Sequence, residues 1–135
     1  MKSSDKNKKD FIEKKRLVNS FKYAFEGIKE AFQGEQNLRI HVIMAILVII
    51  SGFIVQISKN EWFICLILIG LVFMAEFFNT AIENTVDLIT REYNPMAKKA
   101  KDIASGAVLI VAIISAIIGL MIFIPKYIIF IKGVM

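Results

Sequence analysis

Cysteine, histidine and tryptophan each occur once in the 135 residues, and the single cysteine, Cys65, lies in the middle of an apolar run. A disulfide framework and a cysteine-rich metal site are therefore excluded within one chain, and Cys65 is expected to serve packing. The lone His41 follows Arg39 at the start of an apolar stretch. There it reads as an interfacial hydrogen bonder rather than a metal ligand. No glycine-rich loop of the Walker or protein-kinase type is present. Phosphate chemistry, if the chain performs it, has to be built from other groups.

Asp, Glu, Lys and Arg are missing from two long stretches, Ile40 to Ser58 and Ile103 to Ile124. A hydrocarbon core of about 30 Å takes about 20 helical residues to cross, so both predict transmembrane helices. A third apolar run starts at Trp62, stays uncharged through Ala75 and then turns polar. Extended to Thr90 it makes one long helix whose polar part must face protein or water rather than lipid. Hydrophobic residues reach 56% of the chain, against about 45–50% in soluble domains. The expected fold is an all-α membrane protein with transmembrane helices at about 38–58, 62–90 and 100–124, in one domain over 16–135.

The first 37 residues lack a small-residue cleavage site after their basic region, so the N-terminus is expected to be retained. Residues 1–15 are lysine-rich and read as a flexible basic tail. From about 16 to 33, Phe21, Ala24, Phe25, Ile28, Ala31 and Phe32 recur at helical spacing opposite Lys22, Glu26, Lys29 and Glu30. That pattern suits an amphipathic surface helix, with a helix packed on a partner as the plainer alternative. The basic residues concentrate before the first span and, as Arg91, Lys98, Lys99 and Lys101, between the second and third. The positive-inside bias then puts the N-terminus and that second loop in the cytoplasm of a multi-pass plasma-membrane protein.

Glu76, Asn79, Glu83 and Asp87 share one face about 80° wide at about 100° per residue. Glu76 and Glu83 are two turns apart, about 10.5 Å along the axis. A carboxylate withdrawn from water holds its proton more readily, so the deepest group, Glu76, suits accepting a proton from a substrate hydroxyl. Glu83, joined by Glu35 from before the first span, offers hard oxygen ligands for a magnesium ion arriving with phosphates. The Asn79 amide can donate to a phosphoryl oxygen and accept from a lipid hydroxyl. Lys101, placed where the third span begins, can reach anionic phosphates, helped by the helix N-terminus. Positioning, magnesium and positive charge suffice for phosphoryl transfer. On the residues alone, two other readings stand beside a kinase: carboxylates that only bond between helices, or a proton path through a small proton-coupled transporter. Either way, carboxylates that three spans cover poorly call for homo-oligomerisation.

The run Glu76-Phe-Phe-Asn79-Thr-Ala-Ile-Glu83-Asn-Thr-Val-Asp87 resembles the signature of the small prokaryotic diacylglycerol kinase family. The likeness extends through Glu35 and the Ala-Lys101-Asp102 segment with Ala104-Ser105-Gly106-Ala107, covering about Arg16 to Ile124. Leu-Arg-Ile-His41 after Glu35 and Asn60-Glu61-Trp62 resemble the Gram-positive branch, whose members are similar to undecaprenol kinases; the Gram-negative branch, which prefers diacylglycerol, typically has a glutamate at the position of His41. The resemblance implies a homotrimer of three-span protomers with an N-terminal surface helix, moving the γ-phosphate of magnesium ATP to a lipid alcohol, undecaprenol or diacylglycerol, in sites between subunits. It further implies Glu76 as catalytic base with Asn79 beside it, and Glu35 and Glu83 as magnesium ligands. By the same likeness Arg16, Tyr23, Lys101 and Asp102 are nucleotide contacts, Glu92, Tyr93 and Asn94 form the loop that touches ATP, and Ser105 is a lipid contact. No nucleic-acid partner is implied.

Overall fold

In the computed structural model the backbone is described for residues 2–133 and the side chains for residues 13–133. Four helices make up this part of the chain: α1 (Lys2–Gly34), α2 (Gln36–Ile54), α3 (Lys59–Ile89) and α4 (Pro95–Ile131). The last three are long and apolar enough to cross a membrane. In hydrocarbon every backbone N–H and C=O has to be satisfied within its own segment, which is why the three apolar runs become unbroken helices.

The described residues divide into two units, α1 and the remainder from Glu35 onward. Within the first, the boundary expected at residue 15 has no counterpart in the backbone, because helix runs from Lys2. Neither glycine nor proline occurs from Lys2 to Glu26, so nothing in that stretch ends a helix. Lys22 and Glu26 pair one turn apart at 3.8 Å, and Phe21, Phe25 and Ile28 form an exposed apolar stripe.

In the second unit α3 packs along α4 over much of its length and α2 leans on α3. Two ion pairs fix the antiparallel register of α3 and α4: Lys126 Nζ to Glu61 Oε2 at 3.2 Å and Lys101 Nζ to Asp87 Oδ1 at 2.5 Å. Glu61 and Asp87 are 26 residues apart, about 39 Å of helix, so a hydrocarbon layer of about 30 Å fits between the two pairs with about 9 Å to spare. Partly exposed pairs contribute only about 0–1 kcal/mol each, so their part is alignment more than stability.

The ends of these helices follow local chemistry. Ser58 caps α3 in a reciprocal box: its Oγ accepts from the Glu61 N–H at 3.4 Å, and its own N–H donates to the Glu61 carboxylate at 2.6 Å. Helix α2 stops four residues before the expected end at 58. The Ile57 N–H bonds back to the Gly52 carbonyl at 3.1 Å around Gln56, whose φ of 49° is left-handed. Helix α4 departs most from expectation. It starts at Pro95 under an Asn94 cap rather than at 100, and it continues through Pro125, past the expected end at 124. Proline at the first helical position is favourable, whereas Pro125 forfeits one backbone bond inside a helix that apolar residues keep in place.

Val55, Ile57 and Cys65 form a buried cluster with Val48, Trp62, Ile122, Phe123 and Tyr127 around it. Cys65 is free and buried, as expected of a packing residue. Trp62 lies so tightly on Gly52 that a Cβ there would meet its ring at 2.8 Å. Gly52→Ala should therefore lower stability by about 1–3 kcal/mol, read as an earlier thermal unfolding transition in detergent; an unchanged transition would show that the indole moves aside freely.

Candidate active site

Helix α3 places the polar stripe where the register of the α3–α4 seam decides its depth. Glu76 is about 22 Å from Glu61 and about 16 Å from Asp87 along the axis, inside the hydrocarbon layer wherever that layer sits between the ion pairs. Glu83, about 6 Å from Asp87, falls at the margin. One rigid helix thus carries two carboxylates at two depths.

Glu76 is 1% exposed, Asn79 5% and Thr80 7%, the only buried polar side chains among the described residues. Both Glu76 oxygens, the Asn79 Oδ1 and the Thr80 Oγ1 lack a hydrogen-bond partner. Buried polar groups without partners are costly, of the order of 1–3 kcal/mol each, and they persist where a ligand or another chain completes them. Asn79 is oriented by its Nδ2, which donates to Glu83 Oε1 at 3.0 Å. That leaves its carbonyl oxygen free toward the interior.

The Asn37 amide of α2 approaches the Glu76 carboxylate without meeting hydrogen-bond geometry, and His41, Glu35 and Glu83 lie near enough to act on it through their charge. Asn37 and His41 are one turn apart on α2, so a polar face of α2 opposes the stripe of α3. Sequence reasoning missed Asn37 and Thr80 and gave His41 only an interfacial part. The four-residue spacing of Asn37 and His41, in register with the apolar face of α2, was the available signal. Glu35 occupies the N-cap of α2 with extended backbone, yet its side chain makes no capping bond. Its carboxylate is not engaged at the helix end.

These side chains suit a magnesium ion. Such an ion usually takes one or two carboxylates and completes its shell with phosphate oxygens and water. Glu35 and Glu83 both act on Glu76 and can supply that pair, whereas no group of three or more His, Cys, Asp and Glu forms a ready cage among the described residues.

The segment from α3 to α4 is held by several local contacts. The Thr90 Oγ1 accepts from the Glu92 N–H at 3.2 Å, and Asn94 Oδ1 accepts from the N–H groups of Met96 and Ala97. Asn94 is thus engaged as a helix cap, while Tyr93 is exposed. Lys101, expected at a helix start, lies nearly two turns inside α4 and pairs with Asp87 instead. The free N–H groups of the helix start belong to the Pro95 turn, because Asn94 and Pro95 are the stronger start signal. Asp102 pairs with Lys98, and Ser105 Oγ donates to the Asp102 carbonyl at 3.2 Å. Arg16 and Tyr23 are exposed on α1.

A sequence profile of the family described as prokaryotic diacylglycerol kinase matches residues 22–123, from within α1 to near the end of α4. The chain belongs to the prokaryotic diacylglycerol kinase family. It is 51% identical over 111 residues to the undecaprenol kinase of Bacillus subtilis, covering 82% of this chain and 90% of that protein. It is 34% identical over 93 residues to the diacylglycerol kinase of Pseudomonas aeruginosa, covering 69% and 76%. The diacylglycerol kinase of Escherichia coli shares 28% over 102 residues, covering 76% and 84%. Glu35, Glu76, Asn79, Glu83, Lys101 and Asp102 all lie within the family match.

Because Glu76 is buried without a partner, Glu76→Leu should raise stability by about 1–3 kcal/mol, read as a later unfolding transition in detergent. An earlier transition would show that the carboxylate is already satisfied in the folded protein.

Proposed function

We propose that this membrane protein is an ATP-dependent lipid kinase that transfers the γ-phosphate of magnesium ATP to undecaprenol, giving undecaprenyl phosphate. One observation carries the reading: a carboxylate buried at hydrocarbon depth, with both oxygens unpartnered, shares a helix face with a second carboxylate at the margin. A lipid hydroxyl can approach the first and a nucleotide the second. Identity of 51% to an undecaprenol kinase supports undecaprenol over diacylglycerol as acceptor.

In this reading Glu76 accepts the proton of the lipid hydroxyl as its oxygen attacks the γ-phosphorus. Asn79, held by Glu83, keeps its amide toward the same place and orients acceptor or phosphoryl oxygens. Glu35 and Glu83 hold the magnesium that arrives with ATP; when bound, it offsets charge on the phosphate oxygens. Lys101 and Asp102, with Glu92, Tyr93 and Asn94 in the connection before α4, contact the nucleotide, and the family resemblance adds Arg16 and Tyr23 to the nucleotide contacts. Ser105 contacts the lipid. Lys101 is already neutralised by Asp87, so it acts as a positioned donor more than as a free charge.

The assembly is a homotrimer with α1 on the membrane surface, and the N-terminus and the α3–α4 connection lie in the cytoplasm, where the basic residues cluster. Unpartnered polar atoms on α3, which lipid cannot satisfy, favour burial against other copies. A small proton-coupled transporter would use the same carboxylates, but membership in a kinase family counts against it.

Glu76→Gln should reduce turnover by about 10²–10⁴-fold in mixed micelles while MgATP binding stays measurable, and retained turnover would remove Glu76 as base. Undecaprenol should be phosphorylated with a higher kcat/KM than diacylglycerol; the reverse order would move the acceptor to diacylglycerol. Glu35→Gln and Glu83→Gln should each raise the magnesium concentration needed for half-maximal rate, and an unchanged requirement would place the ion elsewhere.

A further inference from the structure

Thr80 is the buried polar side chain of α3 to which the proposed reaction gives no task. It is 7% exposed, and its Oγ1 has no hydrogen-bond partner among the described residues. A threonine inside a helix ordinarily returns its hydroxyl to the carbonyl one turn back. Thr85, on the same helix but exposed, does so: its Oγ1 donates to the Ala81 carbonyl at 2.7 Å. Ser20 on α1 bonds the Arg16 carbonyl in the same way at 2.9 Å. Thr80 is withdrawn from water and so needs such a bond more, yet its hydroxyl meets neither the Glu76 carbonyl nor the Glu76 carboxylate one turn away.

Taking Glu76 as zero, Thr80 falls at about 40° round the helix and Asn79 at about −60°, with Glu83 between them at about −20°. Along the axis, Asn79 is about 4.5 Å and Thr80 about 6 Å from Glu76 in the direction of Glu83. Asn79 and Thr80 therefore flank the line that joins the two carboxylates, at a level between them. On this face the buried atoms without partners are both Glu76 oxygens, Asn79 Oδ1 and Thr80 Oγ1. With Glu76 ionised, all of these except the Thr80 hydroxyl can only accept a hydrogen bond. The oxygens of a transferring phosphoryl group need donors.

We propose that the Thr80 hydroxyl donates a hydrogen bond to a nonbridging oxygen of the γ-phosphoryl group during transfer, which makes Thr80 a catalytic residue. This rests on the reading of Glu76 as base and of Glu83 as the carboxylate on the nucleotide side. The bond from the alcohol oxygen to the γ-phosphorus forms as the bond from that phosphorus to the bridging β,γ-oxygen breaks. The electron pair leaves with ADP, and the hydroxyl proton of the acceptor passes to Glu76. Charge is spread over the nonbridging oxygens throughout that step. A donor fixed in a dry site stabilises such charge without reorganising. A hydroxyl bonded to the Glu76 carbonyl would have its hydrogen committed, whereas the open hydroxyl of Thr80 is available as the phosphoryl group comes within reach of Glu76.

The test uses the full chain in lipid nanodiscs with undecaprenol and MgATP. It compares Thr80→Val, which keeps the shape and removes the hydroxyl, with Thr80→Ser, which keeps the hydroxyl. Thr80→Val should lower kcat at least about tenfold, leave KM for MgATP within about twofold and unfold no earlier than the parent. Thr80→Ser should recover most of the parent kcat. If Thr80→Val turns over within about twofold of the parent while Glu76→Gln is inactive, the Thr80 assignment falls and the base stands. If Thr80→Val unfolds earlier or changes the oligomer size, the hydroxyl bonds a neighbouring copy and the proposal is overturned. If Glu76→Gln remains active, or the parent phosphorylates neither undecaprenol nor dioleoylglycerol, the reading of the site fails and this inference with it.

Discussion

The antiparallel seam between α3 and α4, pinned by Glu61–Lys126 at one end and Asp87–Lys101 at the other, is the constraint from which the rest of the site follows. Charged groups avoid hydrocarbon, so two pairs separated by more than the thickness of that layer define where the helices sit in it. Depth is then a property of sequence position. The fifteen residues from Glu61 to Glu76 put a carboxylate inside the layer, and seven more put Glu83 at its edge. Slipping the seam by one turn would part both ion pairs at once.

Local chemistry around the stripe favours incompleteness over comfort. The backbone of α3 is saturated, its N-cap closed by Ser58 and Glu61, yet Glu76, Asn79 and Thr80 hold buried atoms that nothing in the chain satisfies. A protein selected for stability alone would carry apolar side chains at these three positions, because the cost of each unpartnered group is comparable to a sizeable part of net folding stability. That cost is tolerable where another molecule supplies the missing bonds. It also explains why one face of a membrane helix accumulates Glu, Asn and Thr while its flanks remain Phe, Ile and Ala.

The three spans and the stripe were legible because they rest on absence of charge and on a period that survives any packing. Glu76, Asn79 and Glu83 needed only the angle per residue to be placed together. Boundaries were less legible. Pro125 reads as a stop in water-soluble logic, but in an apolar segment one lost bond does not end α4. The start of α4 was misplaced because Lys98, Lys99 and Lys101 look like a loop, whereas Asn94 and Pro95 are a cap and a first turn. Thr80 could not be read as a site residue, since a lone hydroxyl gains meaning only from what faces it. The neutralisation of Lys101 by Asp87 is a contact between residues fourteen apart, which no local pattern encodes.

Phosphoryl transfer to a lipid has to bring a water-soluble donor and a hydrocarbon-bound acceptor within bonding distance without flooding the layer. A mobile loop could do this only by carrying unsatisfied backbone into lipid, which hydrocarbon penalises heavily. A continuous helix avoids that cost, because its backbone is already closed and only side chains differ with depth. Glu83 stands at the margin and Glu76 two turns further in, on the same rigid rod, so their separation does not depend on any conformational change of the chain. Asn79, one turn from each and bonded to Glu83, links the two levels. With Glu76 meeting the acceptor and Glu83 the phosphate, as proposed, the helix becomes the ruler that sets how far the one rises and how deep the other descends.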